Sequence, residues 1–178
     1  MLSDEAMHER MANGWRMGKP FTACGNGSTL DSTANIRRWL PDVVARYEIA
    51  TLNDAGAGDL AWWPHITWRT QFIYNPYDLI PRVDGVKQID ITTQQMAPAD
   101  AILCRMVLNH LDHERISMAL ALFAVTADYL IATQFNGENL PQRSTQFMRL
   151  DLRDWLGAPL ESVQDGAEAC CSLALWEL

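Results

Sequence analysis

"LNDAGAGDLAWW", residues 52–63, is the stretch that decides how this chain is interpreted. Residues 49–53 predict a short β-strand, and the strand leads directly into two glycines, Gly56 and Gly58. Residues 56–61 satisfy the pattern G-x-G-x-x-G/A, which is typical of a turn that holds a nucleotide-like cofactor. Because a plain structural turn also produces this pattern, the rest of the sequence has to decide between the two.

The size and charge of the chain limit its function. Its 178 residues suit one compact domain, and we predict a single domain over residues 1–178. Apolar residues make up 48% of the chain and charged residues 20%, as in ordinary globular proteins. The formal net charge of −8 disfavours nucleic acid as a partner, since proteins that bind nucleic acid usually present a basic face. A small molecule is therefore the favoured partner.

The sequence carries no signal for a membrane, for export or for a metal. It lacks a run of 18 apolar residues, and residues 1–10 lack the apolar core of a signal peptide, so we expect a cytoplasmic protein. The cysteines show no C-x-x-C spacing and the histidines complete no zinc pattern, so we expect free thiols and no metal. The four cysteines are Cys24, Cys104, Cys170 and Cys171.

Apolar periodicity predicts strands that alternate with helices. The further predicted strands are residues 71–74, 85–92, 100–104, 129–135 and 171–178. A first helix has its apolar stripe at Ile36, Leu40, Val43, Val44 and Tyr47, with Ser28, Thr29 or Asp31 as its cap and a kink or a new start at Pro41. A second helix is capped by Asp112, and its apolar stripe is Ile116, Ala119, Leu120 and Phe123. This alternation predicts a Rossmann-like, doubly wound, mostly parallel α/β sheet, whose ligands bind beyond the carboxyl ends of the strands.

Two acidic residues bear on the identity of the cofactor. Asp78 follows Gly56 by 22 residues, a spacing that suits a carboxylate bound to ribose hydroxyls, although it also suits a turn residue. Ribose occurs in both NAD and S-adenosylmethionine (SAM), so Asp78 does not distinguish them. Asp54, two residues before Gly56, distinguishes the two cofactors. A carboxylate at this position repels the pyrophosphate of NAD and attracts the cationic groups of SAM. The sign of this interaction favours SAM, while a strand-end cap remains the alternative.

Four segments together resemble the class I SAM-dependent methyltransferases. "LNDAGAGD" resembles their first motif, and "ADAILCRMVLNHL", residues 99–111, resembles their fourth-strand segment. "GNGSTLDSTANIRRWLP" and the final "SLALWEL" are similar to small bacterial and phage-type members of that family. The resemblance covers most of residues 21–178. It implies a compact fold with an antiparallel C-terminal strand, and it implies SAM as cofactor with S-adenosylhomocysteine as product.

The resemblance also implies roles for individual residues. The methionine portion of SAM would be lined by Asp54, Gly56, Ala57 and Gly58. Asp78 and Leu79 would lie at the ribose, Asp90 and Ile91 at the adenine, and Cys104 and Arg105 would flank the cofactor and face the substrate. The segment between Asp78 and Asp90 is short, so the usual helix between those strands is expected to be missing.

The sequence says less about the residues that would bind the methyl acceptor. His110 is the best candidate base, since histidine ordinarily has a pKa near neutrality, and a structural histidine is the alternative. Asn109 and Trp62 are candidate substrate contacts, with packing as the alternative for the tryptophan. Residues 136–159, which include Arg143, are a candidate substrate lid, and residues 1–27 form an N-terminal lid or turn segment.

Other functions remain open beside methyl transfer to a small molecule. The chain could bind SAM without catalysis, or it could be an NAD-dependent oxidoreductase. "NPY", residues 75–77, resembles the N-P-P-Y motif of enzymes that methylate nucleic acids or protein amides, but it has one proline and follows the second strand rather than the fourth. The methyl acceptor and the oligomeric state are not determined by the sequence.

Overall fold

One seven-stranded sheet forms the centre of the protein. The computed structural model describes residues 23–136, 139, 148–166 and 171–178. The strands are β1 (Thr51–Ala55), β2 (Ile73–Asp78), β3 (Lys87–Gln88), β4 (Ala101–Cys104), β5 (Tyr129–Phe135), β6 (Glu161–Gln164) and β7 (Cys171–Glu177). They lie in the order β3-β2-β1-β4-β5-β7-β6. The pairs β1–β2, β1–β4, β2–β3 and β4–β5 are parallel, whereas β7 is antiparallel to both β5 and β6. The predicted mostly parallel sheet with an antiparallel final strand is confirmed.

Helices cover both faces of this sheet. They are α1 (Ala34–Arg46), α2 (His113–Ala124) and the single turn α3 (Arg153–Leu156). The predicted stripe of α2 is confirmed, with Ile116, Ala119, Leu120 and Phe123 all buried, and the Asp112 carboxylate caps the helix by accepting a hydrogen bond from the Arg115 N–H. Strand β5 coincides with its predicted residues, and β4 begins one residue after its predicted start.

The first helix differs from its prediction in two ways. Helix α1 begins at Ala34, directly after Thr33. None of Ser28, Thr29 and Asp31 caps it, because the chain makes a one-turn 3-10 helix and further turns over those positions. Pro41 is buried inside α1, which continues on both sides of it, so the predicted new start does not occur. The buried apolar face of α1 outweighs the loss of one backbone hydrogen bond.

Strands β1, β2, β3 and β6 also differ from their predictions. Strand β1 spans Thr51–Ala55 rather than residues 49–53. The second strand, predicted at residues 71–74, begins at Ile73 and continues through Pro76 to Asp78, and it pairs with both β1 and β3. Strand β6 was not predicted, since it alternates between half-exposed and exposed positions at the sheet edge and has little apolar signal. Predicted strand 85–92 is reduced to two residues of regular pairing.

Three connections carry little or no helix. Between β1 and β2 there is only a one-turn 3-10 helix, Trp63–His65, and residues 79–86 and 89–100 contain none. The missing helix between β2 and β3 is therefore confirmed, and the doubly wound arrangement is less regular than the sequence predicted. Aromatic packing replaces the first missing helix: the Trp63 ring stacks on Tyr74 at 3.9 Å between centroids and also contacts Trp68 and Phe72.

Two apolar cores lie on opposite faces of the sheet. Successive strand residues alternate between them: Ile102 belongs to the core that includes α2, whereas Leu103 belongs to the core that includes α1. The same alternation in β1 assigns Leu52 to the α1 side and Ala55 to the α2 side. The sheet is thus buried on both faces, and the carboxyl ends of its strands are left to form a site.

Candidate functional site

The chain reverses its winding direction between β1 and β4. Starting from β1, the chain adds β2 and then β3 on one side and β4 and then β5 on the other. In open α/β sheets this switch point leaves a crevice at the carboxyl ends of the two central strands, where ligands bind. The residues that follow β1, β2 and β4 are therefore the candidate site.

The glycine turn after β1 is bonded to β2 and packed against β4. The N–H groups of Gly56 and Ala57 both donate to the Tyr77 carbonyl, at 2.8 and 2.9 Å. Gly56 has φ +107° and Gly58 has φ +64°, conformations that favour glycine. A Cβ at Gly56 would lie 2.2 Å from Cγ2 of Val107, so the turn approaches the β4 end too closely for any side chain.

The Asp78 carboxylate is held against the same turn. One oxygen accepts a hydrogen bond from the Gly58 N–H at 2.9 Å, and the other accepts from the Ile80 N–H at 2.9 Å. The side chain is half-buried, and each carboxylate oxygen retains a lone pair for a further donor. Asp78 can therefore accept hydroxyl donors beside the turn. Leu79, the next residue, accepts from the Gln88 amide through its carbonyl.

Asp54 is a buried acid at the end of β1. It is 4% exposed, and its carboxylate accepts a hydrogen bond of 2.6 Å from the Tyr74 hydroxyl. Burial raises the pKa of Asp54 to about 7, the Tyr74 hydrogen bond lowers it, and the nearby Asp78 charge raises it further. The same burial, together with the Asp54 charge, raises the pKa of Tyr74 well above its ordinary value, so Tyr74 acts as a donor. Tyr74 has no signature in the sequence, because its role depends on the β1–β2 register.

Arg105 is occupied by a second acid. Its Nε and Nη2 donate to the two carboxylate oxygens of Asp165 at 2.9 and 2.8 Å, and Nη2 also donates to the Gly27 carbonyl at 2.8 Å. The Arg105 side chain is 6% exposed and the Asp165 side chain 0%. The guanidinium also lies 5.7 Å from the Trp62 ring centre, and Trp62 is buried in the α1-side core. The sequence did not identify Asp165, which is 60 residues from its partner.

The other predicted cofactor residues lie around this edge. Cys104 and Ile91 are buried in the α2-side core, and burial raises the pKa of the Cys104 thiol, which keeps it protonated. Asp90 is half-exposed and accepts hydrogen bonds from the Thr92 N–H and hydroxyl. Partial burial raises the pKa of Asp90, but these hydrogen bonds outweigh it, and the pKa is lower than in a free side chain.

The segment after β4 presents polar side chains to the opposite part of the edge. Asn109 and His110 lie in the one-turn 3-10 helix Leu108–His110. Asn109 is 2% exposed, and its side-chain amide hydrogen-bonds to no residue in the described part of the chain. Its carbonyl accepts a hydrogen bond of 2.7 Å from the Met148 N–H. A buried amide without partners is costly, and a bound ligand is one way to satisfy it.

Comparison with solved structures identifies the architecture. The chain is similar to magnesium protoporphyrin IX methyltransferase of Synechocystis PCC 6803 with bound S-adenosylhomocysteine, with a TM-score of 0.58, 16% identity, and coverage of 99% of this chain and 95% of that one. It is also similar to 1,6-didemethyltoxoflavin-N1-methyltransferase of Burkholderia thailandensis, with a TM-score of 0.57, 17% identity, and coverage of 83% and 79%. The fold is that of the class I methyltransferases.

A third similar structure is larger. Mitomycin 7-O-methyltransferase matches with a TM-score of 0.57 and 12% identity over 80% of this chain, which spans about half of that structure, 54% of its length. No family model matches the sequence, and no curated protein matches it either. No helix in the described ranges is long and apolar enough to span a bilayer.

In this methyltransferase fold, part of the candidate lid is anchored to β5. Gln134, near the end of β5, donates to the Asp151 carboxylate and accepts from the Leu152 N–H. The Asn139 side-chain amide donates to the Asp151 carbonyl. The Asn139 carbonyl oxygen lies 3.2 Å from His113 Nε2. Buried polar contacts therefore hold residues 148–156 in place. Arg143 and most of residues 136–147, like residues 1–22 of the N-terminal segment, lie outside the described residues.

We expect Gly56→Ala to destabilise the protein far more than Gly85→Ala. Both glycines have positive φ, at +107° and +88°, but a Cβ at Gly85 meets nothing within 4 Å. Both substitutions place a side chain at positive φ, so the difference between their losses in free energy of unfolding reports the collision with Val107. We expect this difference to be about 1–3 kcal/mol. Urea unfolding of both variants measures the difference. Equal losses of stability would show that the turn is not held against β4.

The Asp151 contacts should make stability depend on acid pH. Hydrogen bonds from Arg153 lower the pKa of Asp151 to about 2, although burial opposes them. A depressed pKa stabilises the folded protein above the unfolded value near 4, and this stability is lost as pH falls toward 2. The advantage of the wild type over Asp151→Asn in free energy of unfolding should shrink by about 1 kcal/mol between pH 6 and pH 3. Denaturant titrations at both pH values test this, and a constant difference would contradict it.

Proposed function

We propose that this protein is a SAM-dependent methyltransferase that acts on a small-molecule acceptor. The observation that carries the proposal is the buried Asp54 carboxylate at the glycine turn of a class I methyltransferase fold. A methyl group would pass from the sulfonium of SAM to the acceptor and leave S-adenosylhomocysteine. The similar Synechocystis and Burkholderia structures both contain S-adenosylhomocysteine, which supports this choice of cofactor. We treat residues 1–178 as one SAM-binding domain.

The electrostatics of the edge favour a cation over a phosphate. Arg105, directly after β4, lies in a buried ion pair, and Asp165 neutralises its charge. Asp54 and Asp78 remain as the acids that face the turn. At an effective dielectric of about 20, two unit charges about 4 Å apart interact by roughly 4 kcal/mol before desolvation is subtracted. This interaction attracts the amino group and sulfonium of SAM and repels the pyrophosphate of NAD, so an oxidoreductase is disfavoured.

The remaining cofactor residues follow from their positions along the edge. The methionine portion would lie on the turn formed by Gly56, Ala57 and Gly58, beside Asp54. The free lone pairs of Asp78 would accept the ribose hydroxyls, with Leu79 beside them. Asp90 would lie at the adenine, and the buried Ile91 and Cys104 would form the floor beneath the cofactor.

The contribution of the chain to catalysis is to position and to desolvate. In-line displacement needs the acceptor atom behind the methyl group, and holding the two reactants in that geometry removes most of the entropic barrier. The cofactor brings the activated methyl group. Asn109 offers a buried amide that an acceptor hydroxyl, amine or carbonyl would satisfy. If the acceptor loses a proton, His110, on the same 3-10 turn, would take it.

A small molecule is the favoured acceptor over a macromolecule. The net charge of −8 opposes binding to nucleic acid. The "NPY" tripeptide lies within β2 rather than after β4, so its position differs from that of the N-P-P-Y motif. The Burkholderia structure that the fold resembles contains a small-molecule substrate, 1,6-didemethyltoxoflavin.

Calorimetry with S-adenosylhomocysteine tests the cofactor site. We expect a Kd near the micromolar range, roughly −8 kcal/mol, and a loss of about tenfold or more in Asp54→Asn and in Asp78→Asn. Asp84→Asn, on an exposed loop residue, is the matched control and should bind as the wild type does. Binding of NADH without S-adenosylhomocysteine would overturn the proposal.

The pH dependence of this binding should follow Asp54. Its pKa is raised to about 7, so the carboxylate that attracts the cationic amino group is ionised above that pH and protonated below it. Affinity for S-adenosylhomocysteine should therefore rise about fivefold or more between pH 6 and pH 8 in the wild type. The same titration of Asp54→Asn should be nearly flat over this range, and a parallel rise in both proteins would assign the effect to another group.

Turnover distinguishes an enzyme from a protein that only binds the cofactor. Small hydroxyl, amine and thiol acceptors would be screened by the appearance of S-adenosylhomocysteine. With an acceptor in hand, His110→Ala should lower kcat about 10²- to 10⁴-fold while the affinity for S-adenosylhomocysteine stays unchanged. A kcat within a few fold of wild type would assign His110 a structural role instead.

A further inference from the structure

Residues 23–33, which we call the N-terminal strap, contact the glycine turn through their first two residues. The Ala23 N–H donates to the Asp59 carboxylate at 2.8 Å, just after the turn. The Cys24 side chain packs on Gly58 so closely that a Cβ there would lie 2.6 Å from the sulfur. Burial, and then the Asp59 charge, raise the pKa of Cys24 to about 11, which keeps this thiol neutral and suited to packing. The strap therefore forms one wall of the crevice at the end of β1.

A buried arginine fastens this strap to the sheet. Arg105, directly after β4, donates to the Gly27 carbonyl in the strap and to both carboxylate oxygens of Asp165. Asp165 follows β6, and the next residue, Gly166, donates its N–H to the Ser32 carbonyl at 3.2 Å. Arg105 and the residue after Asp165 thus both donate hydrogen bonds to the strap. One guanidinium joins three segments that are far apart in sequence.

The cost of this ion pair suggests a role beyond stability. Burying two charges carries a desolvation penalty that their attraction often only offsets, and apolar residues of similar volume are commonly as stabilising. What the pair adds is geometry, because the planar guanidinium bonds both carboxylate oxygens and the Gly27 carbonyl at once. A lysine or an apolar residue would not hold all three.

We propose that Arg105 and Asp165 are positioning residues that hold the N-terminal strap against the glycine turn and so maintain the affinity for the cofactor. The inference rests on the proposed function, since it takes the glycine turn as the place where SAM binds. Arg105 acts here through the Gly27 carbonyl, and Trp62 supports the face of its guanidinium. This role differs from the one that the family resemblance implied, in which Arg105 flanks the cofactor and faces the substrate. Loosening the pair would free the strap and speed the release of the cofactor.

The test removes the ion pair while keeping apolar volume, in Arg105→Met/Asp165→Leu. Hydrogen–deuterium exchange would report on the amides of residues 23–33, and calorimetry and stopped flow would report on S-adenosylhomocysteine. We expect faster exchange in the strap and an affinity about tenfold lower, mainly through faster dissociation. The matched control is Arg69→Met/Asp42→Leu, which removes an exposed pair that joins α1 to the loop before β2 and should leave affinity and strap exchange unchanged.

A conservative variant keeps the test decisive if the double variant fails to fold. Arg105→Lys retains the charge but cannot form the three hydrogen bonds, so it should show intermediate strap exchange and an affinity about threefold lower. Unchanged affinity despite faster exchange in the strap would overturn the proposal, as would unchanged exchange in a folded double variant. Failure of the wild type itself to bind S-adenosylhomocysteine would instead overturn the proposed function.

Discussion

The close approach of the glycine turn to the end of β4 is the constraint on which the site depends. Gly56 lies where any side chain would collide with Val107, and its N–H and that of Ala57 both bond to the end of β2. One turn therefore joins the three strands that surround the switch point. With the turn held this close to β4, the Val107 side chain packs against Gly56 and the Cys24 side chain packs against Gly58.

The charges of the site form a buried ion pair and a buried acid. Arg105 and Asp165 neutralise each other in the pair, whereas the Asp54 carboxylate accepts a hydrogen bond from a neutral donor, the Tyr74 hydroxyl. An isolated buried acid is unfavourable, as the raised pKa of Asp54 shows. The protein keeps this unfavourable group where a cation would relieve it. The same reasoning makes an anionic cofactor an unsuitable ligand.

The fold reaches this arrangement with fewer helices than the predicted alternation of strands and helices. Between β1 and β2 an aromatic cluster covers the sheet in place of a helix, with Trp63 stacked on Tyr74. That cluster also has a role in the site, because the Tyr74 ring that packs on Trp63 carries the hydroxyl that bonds Asp54. The packing of Tyr74 on Trp63 therefore also positions the hydroxyl that donates to the Asp54 carboxylate. The N-terminal strap packs on the turn through Cys24.

The sequence by itself determined the features that depend on neighbouring residues. Helical spacing located α2 and its Asp112 cap, a continuous apolar run located β4, and the glycines with Asp54 and Asp78 indicated the turn and its acids. Tertiary structure alone decided what those residues contact. The continuation of β2 through Pro76, the bond from Tyr74 to Asp54 and the pairing of Arg105 with Asp165 depend on strand register and on segments 20 to 60 residues apart. Local periodicity encodes which face of an element is buried, but no local pattern encodes which distant side chain will meet a buried charge, because that depends on how the whole sheet is assembled.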